Sequence, residues 1–98
     1  MAAYLIANIT VTDMDRYQEY RAGVAPVVQQ YGGRFLVRAG AIHPVEGDLG
    51  FDRCVVLEFP TMDALRAFYD GPEYAPLLAM RLASTRSRVM FVEGVAPG

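Results

Sequence analysis

One histidine, nine arginines and six tyrosines are the residues of this chain best equipped for chemistry. His43 stands where a strand gives way to a polar loop. A lone imidazole near neutral pH can act as a general base, and the plain alternative is a solvated loop side chain. Pro44 behind it restricts the backbone, which orders the position for structural reasons alone. Arg38 falls in the middle of a strand pattern. A buried guanidinium there would bind a carboxylate in two-pronged fashion, either that of Glu58 or the acid of a ligand. Tyr17, Tyr69 and Tyr74 lie on helical segments with their rings toward a sheet, and each brings a large apolar body with one hydroxyl that wants a partner. They fill the core in the simplest reading. Next to Arg81 they would also make the mostly apolar, sparsely polar lining of a small-molecule pocket. Asn8, in a central strand, is either a hydrogen bonder inside a barrel or a polar group of such a pocket.

Other chemistry is not encoded. Cys54 is the single cysteine, flanked by apolar strand residues, and reads as a small core side chain, since a reactive thiol needs exposure and an electropositive setting. One cysteine and one histidine build no metal site, and no phosphate-binding glycine loop, zinc-binding histidine motif or nucleophile elbow is present. No cofactor is therefore expected. The formal charge is −2, and all nine basic residues are scattered arginines. Nucleic-acid binding is accordingly not expected.

The elements that must position these residues can be read in order. Residues from about Ala3 to Val11 form a strand. Thr12-Asp13-Met14-Asp15 is a capping pattern with Thr12 as N-cap, and a helix follows with Met14, Tyr17, Tyr20, Val24, Val27 and Tyr31 on one face. Pro26 predicts a kink or break near Ala22 or Gly23, and Gly32-Gly33 ends the helix. A second strand is expected from Arg34 to about Ile42, a hairpin loop over 43–50, and a third strand from about Arg53 to Phe59. Thr61 caps a second helix through about Asp70. Gly71-Pro72 stops it and opens a further segment anchored by Leu77, Leu78 and Leu82. A last strand spans about Arg88 to Glu93. The order β-α-β-β-α-β is that of a ferredoxin-like α+β sandwich with a four-stranded antiparallel sheet.

Strand alternation sorts that sheet into two faces. Leu5, Ala7, Ile9, Phe35, Val37, Val55, Leu57 and Val89 belong to an apolar face covered by helices. Ile6, Asn8, Arg34, Leu36, Arg38, Val56, Glu58 and Met90 belong to the other. That second face is too apolar for water and too charged for an ordinary core. Such a face marks an interface, and sheet-to-sheet pairing of two copies would cover it, with Glu58 meeting Arg34 or Arg38 because a buried lone charge is costly. Hydrophobic residues make up 53% of the 98-residue chain, a surplus for one small core that a homodimer would absorb.

Several stretches together resemble a known family. They are Ala3-Tyr-Leu-Ile-Ala, Ile9-Thr-Val-Thr-Asp, the pair Tyr17 and Tyr20, and Tyr31-Gly-Gly-Arg-Phe-Leu-Val-Arg-Ala-Gly. Val45-Glu-Gly-Asp, Val55-Val-Leu-Glu-Phe-Pro, Ala67-Phe-Tyr, Pro72-Glu-Tyr, Arg81 with Ser84, and Ser87-Arg continue the likeness. The chain is similar to the domain-of-unknown-function family numbered 1330, part of the dimeric α/β-barrel superfamily. The resemblance implies a ferredoxin-like subunit whose sheet packs on a second copy's sheet. It implies no established activity, although the superfamily includes cofactor-free monooxygenases and isomerases with a pocket between sheet and helices. One departure lies at Asp48-Leu-Gly-Phe, where an aromatic such as Trp is expected after the Asp.

Two readings of function follow. In the first, the protein binds or transforms a small apolar or acidic compound without a cofactor, in a monooxygenase-like or isomerase-like manner. Asn8, Tyr17, Arg38, Tyr69, Tyr74 and Arg81 are then its ligand-binding candidates, and His43 its weak catalytic candidate. In the second it is a non-catalytic dimeric regulatory or structural module. Either way a single domain over 1–98 is expected, ordered from about 3 to 94 with a loose tail at 95–98. No leader and no membrane span is read from the sequence, and the expected location is cytoplasmic.

Overall fold

A computed structural model describes residues 1–96. Its elements are β1 (Ala3–Val11), α1 (Met14–Gln30), β2 (Arg34–Arg38), β3 (Cys54–Phe59), α2 (Met62–Asp70), α3 (Ala75–Ser84) and β4 (Thr85–Glu93). The four strands form one antiparallel sheet in the order β2-β3-β1-β4. This is the ferredoxin-like α+β fold, with β1 at the centre between β3 and β4. Every second residue of β1 from Ala3 to Ile9 is buried, and these side chains pack with Val55, Leu57 and Phe59 beneath Tyr17, Tyr20, Val24 and Val28 of α1, Leu65 and Phe68 of α2, and Leu77 of α3. The helices therefore cover one face, as alternation predicts, and leave the other open.

Local chemistry explains most boundaries. The Thr61 hydroxyl accepts from the Ala64 N–H at 3.1 Å and starts α2. At the end of α1, Gly32 takes φ +81°. Its N–H reaches the Gln29 carbonyl at 3.0 Å, and the Gly33 N–H reaches that of Val28 at 2.9 Å, which together close a Schellman cap. Helices α1 and α3 meet where a Cβ on Gly23 would lie 2.8 Å from Leu77 Cδ2, so that position accepts no side chain without displacement.

Five expectations are corrected. The cap of α1 is Asp13, whose carboxylate accepts from the Arg16 N–H at 3.3 Å. Thr12 is instead tied back, with its N–H on the Ser84 carbonyl at 2.8 Å. The break near Ala22 or Gly23 does not occur, because Ala22 and Pro26 both face solvent, where water satisfies the carbonyl that loses its donor. Leu82 is no anchor: it is 63% exposed on the outer side of α3. The last strand begins at Thr85, with no loop after α3, since the Thr85 and Ser84 hydroxyls turn back onto the Arg81 and Met80 carbonyls, both at 2.6 Å. These bonds satisfy carbonyls that the helix end would leave bare.

The fifth concerns β2. The second strand stops at Arg38 rather than running to Ile42, and it contains a bulge. Phe35 pairs with Leu57 and Val37 with Val56, so Leu36 is the extra residue, and Arg38 pairs with Val55. A bulge exchanges the faces of everything beyond it. Arg38 accordingly lies on the helix side, and Val37 joins Leu36 on the open side. Ala39 then leaves the strand in the left-handed region at φ 59°. Val95 and Ala96 carry no regular structure, and residues 97 and 98 of the expected tail lie outside the described residues. Among the described residues, no helix is long and apolar enough to cross a membrane.

Candidate functional site

Arg81 is the centre of the polar chemistry beneath the helices. It sits in the last turn of α3 and is 4% exposed. Its Nη2 donates to the Tyr69 hydroxyl at 2.9 Å, its Nε to the Tyr74 hydroxyl at 3.3 Å, and its Nη1 to Ser87 Oγ. Tyr74 and Tyr20 share a further hydrogen bond at 2.8 Å. Three elements thus bring hydroxyls to one guanidinium: α2 supplies Tyr69, the residue that caps α3 supplies Tyr74, and β4 supplies Ser87. Among the described residues, no carboxylate pairs with Arg81; the two ion pairs are Arg16–Asp13 and Arg34–Glu58. A buried cation held only by neutral hydroxyls is unusual, because desolvation normally demands a counter-charge.

Burial acts to lower the Arg81 pKa, but its tyrosine neighbours, led by Tyr74, raise it, and the balance lies above the ordinary value. The side chain stays charged. Burial, then the Tyr74 phenol, push the Tyr20 pKa far upward, so Tyr20 remains a neutral phenol, and either hydroxyl of the Tyr20–Tyr74 pair can donate.

A cavity of about 30 Å³ lies beside this cluster, space for about two waters. Its floor is Leu5, Ala7, Ile9, Val55 and Val89, and its walls include Tyr17, Tyr20, Tyr69, Tyr74 and Phe35. Arg81, Arg21 and Arg38 also line it, with no Asp or Glu among the lining residues. Five of the residues singled out in the sequence, Tyr17, Arg38, Tyr69, Tyr74 and Arg81, therefore surround one space. Tyr17 stacks on Tyr20 with ring centroids 5.8 Å apart.

The other two stand elsewhere. Asn8 points to the open face, where its Nδ2 donates to the Gly50 carbonyl at 3.2 Å and its Oδ1 accepts from the Asp52 N–H at 2.9 Å. It fastens the end of the 40–52 loop to the sheet. His43 is exposed in that loop, at the rim of a shallow hollow of about 700 Å³ with Ile6, Val56 and Met90 on its floor. Cys54 is half-buried in the same hollow and is not a core residue. Glu58 pairs with Arg34, whose Nε and Nη2 both reach Oε1 at 2.7 Å. It does not meet Arg38.

Tyr20, Arg21 and Ser87 complete the site and were not expected there. Tyr20 was legible, three positions after Tyr17 on the same helical face. Ser87 shares the parity of Val89 and was lost with the early start of β4.

Residues 2–95 match the model of a family described as Domain of unknown function (DUF1330). No curated protein matches the chain. Among solved structures it is similar to a protein of unknown function from Rhodopseudomonas palustris, with 16% identity over 98% of this chain and 84% of that one and a TM-score of 0.75. It is similar to a dimeric ferredoxin-like protein of unknown function from Jannaschia sp. CCS1, at 20% identity, 96% and 100% coverage and a TM-score of 0.68. SnoaB, a cofactor-independent oxygenase from Streptomyces nogalater, matches at 16% identity, 98% and 95% coverage and a TM-score of 0.64. At such identities the likeness carries the fold, and function has to be argued from the site.

Proposed function

Because this chain belongs to the DUF1330 family, which is described only as a domain of unknown function, we propose its function from the site itself: it holds a small compound with an apolar body and an acidic group beneath the helices, without a cofactor. The observation that carries this reading is Arg81, buried, positively charged and provided with hydroxyls but no counter-anion among the described residues. A ligand carboxylate, phenolate or enolate supplies the missing charge. Tyr69 and Tyr74 orient the guanidinium, and the floor of Leu5, Ala7 and Val89 takes the apolar body. A preorganised cation with phenol donors at an apolar wall also stabilises negative charge that develops on a bound carbon acid or phenol. That is the demand of monooxygenase-like or isomerase-like chemistry run without a cofactor, and SnoaB, a protein of the same fold, is a cofactor-independent oxygenase.

The cavity is small as it stands. Ligand pockets run to about 300 Å³ and more, so admission requires movement at the mouth, where Arg38 bridges β2 to α1. The test is a thermal-shift series of aromatic and aliphatic acids against their amides. Acids are expected to raise the melting temperature and amides to leave it in place, since only a group that binds the folded state stabilises it. If neither acids nor phenols move the transition at millimolar concentration, the reading fails.

One observation favours the alternative of a non-catalytic dimeric module. No buried side-chain nitrogen or oxygen among the described residues lacks a partner, so the polar cluster is self-sufficient at rest. A flat ligand series would decide for that alternative. Both readings include a homodimer in a cytoplasmic setting. Leu36 is 45% and Met90 53% exposed on the open face, beside Ile6 and Val56, and a second copy's sheet is the surface that matches them. The dimeric relative from Jannaschia supports that arrangement.

A further inference from the structure

We propose, building on the ligand site beneath the helices, that this site is two-ended: Arg38 forms a second anion-binding position at the mouth, and the preferred ligands carry an acid at each end of an apolar body. The backbone around Arg38 is irregular in a way that strand pairing does not require. A bulge at Leu36 reverses the face of Arg38, and Ala39 directly after it sits at φ 59°, a conformation that disfavours a residue with a Cβ. The Ala39 N–H is held on the Cys54 carbonyl at 2.9 Å, which fixes the distortion. Bulges that re-aim a side chain, and left-handed residues other than glycine, gather at functional positions. Here both act on one arginine, and they turn it from the sheet's open face toward the cavity.

Its present partners are provisional ones for a cation. The guanidinium lies over the Phe35 ring at 4.3 Å, and Nη2 donates to the Arg21 carbonyl at 2.8 Å. Among the described residues it meets no carboxylate. The backbone carbonyl carries only a partial charge, so exchanging it for a carboxylate is favourable, while the Phe35 face can keep holding the side chain. Arg21 lines the same mouth and adds to the positive field.

The separation of the two positions follows from the sheet. Arg38 is opposite Val55, Val55 opposite Ala7, and Ala7 opposite Val89. Three strand spacings carry the row from β2 to β4, about 14 Å between the outer backbones. Arg81 is held on the β4 side by Ser87, two pairs along from Val89 and on the same face. Between the two arginines the floor is apolar and lowest at Ala7, the smallest side chain of the row. A ligand lying across the strands meets Arg81 at its inner end and Arg38 at its outer end.

The experiment is calorimetric titration with straight-chain dicarboxylates from succinate to sebacate, each compared with the monocarboxylate of equal carbon count. One chain length is expected to bind about tenfold more tightly than its monoacid, the contribution of one partly exposed charge-assisted hydrogen-bonded contact. Shorter and longer diacids are expected to show less advantage. In Arg38→Met the ratio between that diacid and its monoacid is expected to fall to about one, and in Arg38→Lys to fall between. The unliganded melting temperature of each variant establishes that it is folded. If monoacids bind but no diacid exceeds them, the second position is refuted and the inner site stands. If the diacid advantage survives Arg38→Met, Arg38 is not that position. If neither acid binds at all, the ligand site itself fails.

Discussion

Replacing Arg81 by methionine separates a binding arginine from a structural one. The substitution removes a cation that is 4% exposed and three hydrogen bonds, to Tyr69, Tyr74 and Ser87. Bonds to a charged group are each worth about 1.5–3 kcal/mol, so the loss is on the order of 5 kcal/mol. Against it stands the desolvation of the guanidinium, several kcal/mol that the variant no longer bears. The groups left behind suffer little. Tyr74 keeps Tyr20 at 2.8 Å, Ser87 keeps the Thr85 hydroxyl at 3.4 Å, and half-buried Tyr69 can turn to water. Methionine fills most of the vacated volume with a flexible apolar chain. The net expectation is a stability within about 1 kcal/mol of the parent, or roughly 4–8 °C in melting temperature for a chain of this size, with the response to acids abolished. Urea unfolding at fixed protein concentration measures the first and the acid series the second. A loss above about 3 kcal/mol with an unchanged denaturant slope would mean that the hydroxyl cage is a structural strut, and the argument from an unmatched charge would collapse.

Two further outcomes are expected. Sedimentation at micromolar concentration should find a dimer, and Met90→Asp should weaken it by about 3 kcal/mol, roughly a hundredfold in dissociation constant, by placing a lone charge in the covered face; a monomeric parent would refute the interface. The Glu58 pKa is lowered chiefly by its hydrogen bond from Arg34, and then by Tyr4, from the usual 4.5. Its stabilisation is therefore fully present above pH 4.5 and lost as pH falls through the lower folded-state value. The urea midpoint of Glu58→Gln should lie below the parent's at neutral pH and converge with it in acid, and a gap that is constant with pH would show that the ion pair contributes nothing.

The extent to which this structure was legible depends on where periodicity survives. In β1 and β3 the burial pattern alternates residue by residue, so the core face of both strands could be assigned from sequence. In β2 it could not. Nothing in Arg34-Phe-Leu-Val-Arg signals an extra residue, because Leu36 and Val37 are apolar whichever face they take. Only the pairing with β3 reveals the bulge, and a non-glycine residue such as Ala39 gives no warning of a left-handed turn. Arg38 was thus assigned to the wrong face, and of the two partners expected for Glu58, Arg34 or Arg38, only Arg34 meets it. The start of β4 was hidden for a different reason: Thr85-Arg-Ser-Arg is polar and reads as a loop, yet its Thr and Ser face inward because the chain places hydroxyls beside Arg81. Inward hydroxyls bonded to Arg81 replace the apolar pattern there.

The two faces of the sheet differ in polarity. The open face carries Ile6, Leu36, Val56, Met90 and the one apolar residue that the bulge moves there, Val37. The helix face carries Arg38 and Arg81 around an apolar floor. An unbulged β2 continuing the alternation from Arg34 would place Arg38 among apolar side chains on the open face, where a charge has no partner once a second sheet covers it, since Glu58 is already engaged. It would also turn Val37 into the cavity and close the mouth. One inserted residue changes both placements: it adds the Val37 side chain to the open face and moves the Arg38 cation to the helix side. The left-handed Ala39 follows directly on that exchange, at the end of a five-residue strand whose two faces differ in polarity.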